Sequence, residues 1–179
     1  MAIEKLKFPI GKLKMPGEIT VETISTYIQD IADFPERLKG EVIYLRDPEL
    51  DTPYRPGGWT IRQVVHHCAD SHMNSLIRFK LALTENKPVI KPYFEDRWAE
   101  LSDSKIMSIL PSLEILAGIH QRWVHLLQGL TNQQWKSTFI HPEQGREYRL
   151  DESLGLYAWH CNHHLAHIIN LKRAKGWVK

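Results

Sequence analysis

Residues 157–168 read YAWHCNHHLAHI and hold four histidines within eight positions. On a helix, His160 and His164 lie one turn apart on the same face, and so do His163 and His167. Large apolar side chains lie around these imidazoles, at Leu156, Trp159, Leu165, Ile168 and Ile169. Two imidazoles one turn apart can share a metal ion. The stretch therefore predicts a buried helix that carries part of a metal site.

A simpler interpretation of these histidines needs no metal. Histidine accounts for 10 of 179 residues, so close pairs can arise by chance. An imidazole near the carboxyl end of a helix also interacts favourably with the helix dipole. The apolar neighbours favour the metal interpretation, because polar groups in a protein interior need partners.

A third metal ligand must come from elsewhere in the chain, and residues 64–72, VVHHCADSH, are the obvious source. The apolar stripe of the helix predicted there includes His72, whereas His67 lies at the flank of the stripe and His66 lies further round. Spacing alone leaves both His66 and His67 open as the third ligand. We interpret the two stretches as the two halves of one site.

The two cysteines, Cys68 and Cys161, lie beside the histidine clusters. Thiolate is a good zinc ligand, and helical spacing would let Cys68 act with His72, or Cys161 with His164. Free cysteine is nevertheless among the most buried residue types and usually packs as a small apolar side chain. We therefore expect both cysteines to be reduced and to belong to the core.

The composition is that of a single globular domain covering residues 1–179. Hydrophobic residues make up 42% and charged residues 25%, and the formal charge is only +2, which argues against a nucleic-acid-binding surface. Residues 1–18 mix charges with prolines and predict an extended N-terminal arm without a signal peptide. Because no apolar run is long enough to span a bilayer, we expect a cytoplasmic protein with no membrane partner.

Hydrophobic periodicity predicts four long helices. They cover residues 19–38, 60–84 and 105–130, and a last helix that Asp151 can cap and that ends before Gly176. A Pro-Glu-Gln-Gly turn within residues 139–150 indicates a short hairpin or extended excursion before the last helix. The sequence thus predicts an all-α fold, an antiparallel four-helix bundle with long connections.

Local signals refine the limits of these helices. Thr60 followed by Gln63 is a capping box, which predicts the start of the second helix. Gly40 is a plausible end of the first helix. Pro111 lies inside the third helical region and implies either a kink or a start nearer Ile109.

Three neutral imidazoles around Zn²⁺ leave a fourth position open. There the metal can lower the pKa of a bound water to about 7, and it can also lower the pKa of a bound thiol. His163 is a candidate general base, and Asp70 or Glu95 could orient a ligand imidazole. His120 and His125 have no histidine three or four positions away. We expect these two to be structural or exposed to solvent.

The long connection at residues 45–59, LRDPELDTPYRPGGW, leads into the helix that carries the third ligand. A loop in this position overhangs the same end of the bundle, so Tyr54, Arg55 and Trp59 are candidates for shaping a substrate pocket. The alternative is that they only pack the loop against the bundle. The motifs of metalloproteases, zinc ribbons, P-loop nucleotidases and serine esterases are absent from the sequence.

Residues 57–85, GGWTIRQVVHHCADSHMNSLIRFKLALTE, together with residues 154–168, LGLYAWHCNHHLAHI, resemble the YfiT branch of the DinB superfamily of four-helix-bundle metalloproteins. The resemblance extends over nearly the whole chain. It implies one divalent metal per chain, zinc or nickel, held by three histidines. These are His67, the second histidine of VVHH, with His160 and His164 of the WHxxxH motif.

The resemblance implies a metal-dependent hydrolase with a small-molecule substrate, and also a homodimer. Related members of the superfamily resemble thiol S-transferases that use a low-molecular-weight thiol such as bacillithiol, which gives an alternative use of the same centre. A non-catalytic metal-binding bundle is the remaining alternative. That alternative predicts a fourth metal position closed by Cys68, Cys161 or an acidic side chain.

Overall fold

The computed structural model describes residues 2–177 of the chain. Its helices and strands are, in chain order, α1 (Ala2–Lys7), α2 (Val21–Val42), α3 (Asp47–Leu50), α4 (Ile61–Thr84), α5 (Glu95–Trp98), α6 (Ser102–Ile106), α7 (Leu110–Gln128), β1 (Thr138–His141), β2 (Arg146–Arg149) and α8 (Leu150–Lys175). A short 3-10 turn, Gln134–Lys136, precedes β1. Across the described chain, no helix is both long enough and apolar enough to cross a membrane.

The four long helices close a ring in which each helix packs against two others. α2 packs against α7 and α8, and α4 packs against the same two helices, so α2 and α4 lie diagonally across the core. Large side chains fill the space between the helices and are fully buried, among them Trp123, Phe34, Phe79, Leu116, Leu154 and Ile168. Burial of each one stabilises the fold by roughly 1.5–3 kcal/mol, so this shared core holds the ring together.

α4 and α7 run in the same direction. His66 near the start of α4 bonds to Ser112 near the start of α7, and Phe79 near the end of α4 packs on Trp123 in the second half of α7. The chain must therefore return along the bundle after α4 before it can begin α7. This return explains the long connection at residues 85–109.

α2 and α8 are a second parallel pair. Arg37 Nη1 donates to Asn162 Oδ1 at 3.0 Å, and further along both helices Lys172 Nζ donates to Glu41 Oε2 at 2.6 Å. The antiparallel neighbours are α2 with α7 and α4 with α8. The predicted four-helix bundle is confirmed, and its long connections allow a helix order that differs from simple alternation around the ring.

The excursion predicted before the last helix is a β-hairpin. β1 and β2 pair antiparallel, with Phe139 opposite Tyr148. Phe139 is buried and its ring stacks on that of Tyr148, with 5.8 Å between the ring centroids. Ile140 donates its N–H to the carbonyl of Pro88 and accepts from the N–H of Ile90. These contacts hold the hairpin against the segment that follows α4.

The predicted start of the second long helix is confirmed. Thr60 Oγ1 accepts from the Gln63 N–H at 3.1 Å, and Gln63 Oε1 accepts from the Thr60 N–H at 2.9 Å. Gln63 Nε2 also donates to the carbonyl of Ala99 at 2.7 Å. This reciprocal cap fixes where α4 begins and therefore places His67 in its second turn.

The prediction of a wholly extended N-terminal arm at residues 1–18 was wrong, because Ala2–Lys7 is the helix α1. Met1 lies outside the described residues. The segment contains no glycine or proline, and Glu4 near its start and Lys7 at its end complement the helix dipole. These local preferences favour a helix over the six residues, slightly under two turns.

The structure also settles three details of the predicted helix limits. α2 continues past Gly40 to Val42, because a glycine inside a helix costs only about 1 kcal/mol and Val42 is fully buried. α7 begins at Leu110 with Pro111 in its first turn, which confirms the predicted alternative of a start near Ile109 over a kink. The connection at residues 45–59 includes the one-turn helix α3.

The cap predicted at Asp151 was also wrong. Arg149 occupies the N-cap position of α8, and its N–H donates to Glu152 Oε2 at 3.3 Å. Asp151 lies in the first turn, where it binds the Arg149 guanidinium at 2.7 Å. Its carboxylate also accepts from the Glu152 N–H at 2.7 Å, so it stabilises the helix start through a hydrogen bond as well as through its charge.

Candidate metal centre

Three histidines from two antiparallel helices meet in the structure. His67 lies on α4, and His160 and His164 lie one turn apart on α8. Their candidate ligand atoms all lie within 4.8 Å of one another, and His67 Nε2 is 3.1 Å from His160 Nε2. The side-by-side packing of α4 and α8 thus brings the two predicted halves of the site together.

The spacing and charge state of these imidazoles suit a divalent cation. Two nitrogens bound tetrahedrally to one zinc ion lie roughly 3.3 Å apart. Burial, with a smaller contribution from neighbouring histidines, lowers the pKa of His67 to about 4 and the pKa values of His160 and His164 well below the ordinary value. All three are therefore neutral near pH 7. His164 Nδ1 is also buried without a hydrogen-bond partner among the described residues.

His66 belongs to a different contact. Its Nδ1 lies 2.7 Å from Ser112 Oγ, and its Nε2 lies 3.4 Å from the carbonyl oxygen of Met107. These partners place His66 between α4 and α7. The structure therefore separates His66 from His67, which spacing alone left equivalent.

A chain of histidines runs from the metal centre into the core. His160 Nδ1 lies 3.1 Å from His72 Nε2, and His72 Nδ1 lies 2.6 Å from His120 Nε2. His120 Nδ1 lies 2.6 Å from the backbone oxygen of Ile31 on α2. His72 and His120 are 0% and 1% exposed, so these hydrogen bonds satisfy ring nitrogens that have no access to water.

The backbone carbonyl of Ile31, at the end of this chain of histidines, determines which nitrogen of each ring carries the proton. A carbonyl oxygen can only accept, so His120 donates from Nδ1 and accepts at Nε2 from the Nδ1–H of His72. His72 Nε2 in turn accepts from the Nδ1–H of His160. His160 is left with its lone pair on Nε2, the nitrogen that faces His67. The chain therefore fixes the tautomer and ring orientation that a metal ligand needs.

Both cysteines lie in the core, as predicted. Cys68 and Cys161 are 0% exposed, and burial raises the pKa of both thiols, so they stay protonated. Within residues 2–177, the cluster of candidate ligands contains three histidines and neither a cysteine nor a carboxylate. This donor set matches a catalytic site with an open position better than a closed structural site.

A cavity of about 430 Å³ opens beside the three histidines. Trp59 lines it from the loop before α4, with 4.6 Å between its ring centroid and that of His67. Ser71 and Arg78 line it from α4, and Tyr157 lines it from α8. A concave space of this size is typical of sites for small molecules.

The hairpin and the connection after α4 supply the remaining wall of the cavity. Tyr93 and Glu95 line it from the connection, and His141, Glu143 and Gln144 line it from the end of β1 and the turn that follows. The segment predicted only as an excursion therefore contributes directly to the site.

The three predicted catalytic candidates occupy different positions. His163 lines the cavity; burial lowers its pKa to about 4, and its Nε2 lies 3.0 Å from His167 Nε2. Tyr54 and Arg55 are not among the lining residues. Tyr54 stacks on His167, and the Arg55 guanidinium lies over the Tyr54 ring. These two pack the loop against α8, so of the three loop candidates only Trp59 shapes the cavity.

The carboxylates considered as orienting groups do not contact the ligands. Within the described chain, neither Asp70 nor Glu95 forms a hydrogen bond with the three clustered histidines, and His72 orients His160 instead. Burial, with the nearby charge of Asp103, raises the pKa of Asp70 to about 6.

The sequence contains signals for two residues of the site that the predictions above did not assign to it. His120 lies on the buried stripe of α7 between Leu116 and Trp123, where an imidazole must find a partner. Arg78 follows His67 by eleven residues, about three helical turns, and so lies on the same face of α4. The hairpin residues gave no comparable signal, because their approach to the cavity depends on long-range packing.

Together, the fold and the site define an α-helical bundle protein with a three-histidine candidate metal centre in a small-molecule cavity. The family described as the DinB superfamily matches residues 33–168. The chain belongs to this superfamily, as its resemblance to the YfiT branch predicted.

Two relatives show how closely the chain matches that branch. YfiT of Bacillus subtilis strain 168 is 50% identical over 177 residues, which cover 99% of each chain. A protein of Bacillus cereus strain 03BB102 is 53% identical over 172 residues, covering 96% of this chain and 98% of the relative. Both are named as candidate metal-dependent hydrolases.

A solved structure of YfiT from Bacillus subtilis superposes with a TM-score of 0.94 at 50% identity, covering 97% of this chain and 99% of that one. It is described as a candidate metal-dependent hydrolase with an unusual four-helix-bundle topology. That description agrees with the two parallel helix pairs of the present bundle.

Proposed function

We propose that this protein is a metal-dependent hydrolase in which His67, His160 and His164 hold one zinc or nickel ion at the cavity. The observation that carries the proposal is the cluster of three neutral imidazoles beside a space for a small molecule. The names of the relatives support it. A metal held in this way supplies an activated water and polarises the bond to be cleaved.

The surrounding residues orient the ligands and limit the access of water. His72 and His120 hold the His160 ring, and the Trp59 ring covers one side of His67. His163 lines the cavity and is our candidate for the proton acceptor. If its Nε2–H donates to His167, its lone pair lies on Nδ1, which is buried and unpaired within the described chain.

Metal content tests the proposed site directly. Protein purified without a histidine tag should contain about one metal ion per chain by elemental mass spectrometry, whereas His67→Ala and His160→Ala should lose most of it. His125→Ala is the matched control, because His125 is an exposed histidine on α7. Circular dichroism should show that all variants remain helical. Full metal retention in both site variants would overturn the assignment of ligands.

Turnover tests the reaction class separately. Metal-loaded protein should hydrolyse members of a panel of esters, amides and phosphoesters, and a chelator or His67→Ala should abolish this activity. Bacillithiol at millimolar concentration should leave the melting temperature unchanged. A clear rise would instead favour thiol transfer, because a ligand that binds only the folded state stabilises it.

The assembly implied by the family resemblance is a homodimer, and we retain it as a proposal. Light scattering on the purified protein measures the mass directly, and a mass close to that of the 20.9 kDa chain would contradict the dimer.

A further inference from the structure

Arg78 lies in the cavity on the same helical face as His67. The two Cα atoms are about 16 Å apart along α4, with Ser71 between them on that face. Side chains on a helix lean towards its N-terminus, so the Arg78 side chain leans towards the metal centre. Among the described residues that line the cavity, Arg78 is the only lysine or arginine.

The guanidinium of Arg78 forms no hydrogen bond or ion pair with the described residues, and its positive charge acts only on Tyr93 and His141, which also line the cavity. Its Nε is buried without a hydrogen bond, and Arg78 forms no ion pair with a carboxylate of residues 2–177. Arg62, another arginine of α4, is by contrast paired with both Asp47 and Asp51 at 2.7 Å. A buried N–H that loses water without gaining a partner is unfavourable, and the Nε–H of Arg78 is in this position. The unpaired Arg78 therefore marks a place where a ligand group can bind.

We propose that Arg78 binds a carboxylate of the substrate, and that the substrates are small molecules with a carboxylate at one end and the scissile bond at the other. This inference rests on the proposed hydrolase function. The planar guanidinium presents paired N–H groups that match the two oxygens of a carboxylate. The separation of Arg78 from His67 requires several bonds between the carboxylate and the scissile bond.

The carboxylates of two glutamates in the cavity further define the class of substrate. Glu95 and Glu143 also line the cavity and are exposed. With neutral histidines, one guanidinium and two carboxylates give the lining a formal charge of −1. A bound divalent ion would change this formal charge to +1, so the binding of one carboxylate depends on the local positive charge of Arg78 rather than on the net charge of the lining. A zwitterionic substrate fits best, because its amine can face Glu95 or Glu143.

Calorimetry with two probes that differ by one charge tests the proposal. Suberic acid monohydroxamate combines a metal-binding hydroxamate with a free carboxylate, and its methyl ester lacks that charge. Zinc-loaded wild type should bind the acid roughly tenfold more tightly than the ester. Arg78→Met should bind both probes about as weakly as wild type binds the ester.

Lys80→Met is the matched control. Lys80 is exposed on the same helix and does not line the cavity, so its removal deletes one positive charge without touching the site. It should keep the preference of wild type for the acid. Equal affinity of wild type for the two probes, or a preference that survives in Arg78→Met, would overturn the proposal.

A second titration separates this inference from the metal function. Suberate itself needs no metal, so it is titrated into protein treated with a chelator. Arg78-dependent binding of suberate would support the carboxylate site even if metal loading or hydrolysis failed. Absence of binding by wild type in both titrations would overturn the carboxylate site.

Discussion

His72 shows how one buried side chain sets the properties of another. A metal-ligating histidine normally donates its second ring N–H to a carboxylate, a carbonyl or water. Here the acceptor for His160 is the neutral imidazole of His72. His72 in turn donates to His120, and His120 donates to a backbone carbonyl. A carboxylate at the fully buried position of His72 would place an uncompensated charge in the core. The histidine chain orients the ligand without that cost.

Replacement of His72 should therefore weaken metal binding although His72 is not a proposed ligand. His72→Phe removes the acceptor for His160 Nδ1, and we expect roughly 10–100-fold lower zinc affinity. Competition with a chromogenic chelator measures this affinity. His72→Gln should restore part of it, because the amide oxygen can accept the same proton.

His66→Phe provides the control for that experiment, since it removes a buried histidine from the same helix on the side that faces α7. Its zinc affinity should stay close to that of wild type. Equal losses in His66→Phe and His72→Phe would mean that general destabilisation, rather than orientation of His160, explains the result.

α4 carries three residues that serve the site in different ways. His67 and Arg78 lie on the face that lines the cavity, and His72 lies on the face that enters the core. The register of all three depends on where the helix begins, which the reciprocal cap of Thr60 and Gln63 determines. The cap thus helps to stabilise the helix that carries these residues.

Loss of this cap should lower stability without removing the site. Thr60→Ala leaves the Gln63 N–H without its side-chain acceptor, and we expect a loss of about 1 kcal/mol in the free energy of unfolding. Urea denaturation measures it. Thr26→Ala is the control, because Thr26 is exposed inside α2 and bonds only within its own helix. An equally large loss in both variants would contradict the capping role.

The whole bundle sets the charge state of its histidines. Packing four helices around one core removes His67, His72 and His120 from water, and this desolvation lowers their pKa values because it disfavours the charged imidazolium. The same burial that keeps these groups neutral for metal binding makes the folded state a poorer proton acceptor than the unfolded chain.

Stability of the metal-free protein should consequently fall in mild acid. The pKa values of His67 and His120 drop from 6.5 to about 4 on folding, so their contribution is complete above pH 6.5 and is lost as the pH falls towards 4. Each such group lowers the free energy of unfolding by up to about 1.4 kcal/mol per pH unit in this range.

Asp70 acts in the opposite direction, because its pKa rises on folding to about 6, and it offsets part of the loss. Urea denaturation of chelator-treated protein between neutral pH and about pH 4.5 measures the balance. Stability that stayed constant or rose on acidification would show that these histidines are not desolvated as the fold indicates.

The sequence by itself determined the helical class, the start of α4 and the residues that can act as metal ligands. Apolar periodicity, the Thr60–Gln63 cap and the spacing of His160 and His164 are local properties, because a helix repeats every 3.6 residues. The family resemblance then selected His67 over His66, which no local rule distinguishes.

Only the tertiary structure decided the direction of the helices, the chain from His160 to His120 and the cavity wall formed by the hairpin. Each of these depends on contacts between residues far apart in sequence, such as His72 with His120 or Ile140 with Ile90. Local preferences are nearly indifferent to which helix lies beside which. That choice follows from the joint burial of the core and from the pairing of polar groups that water cannot reach.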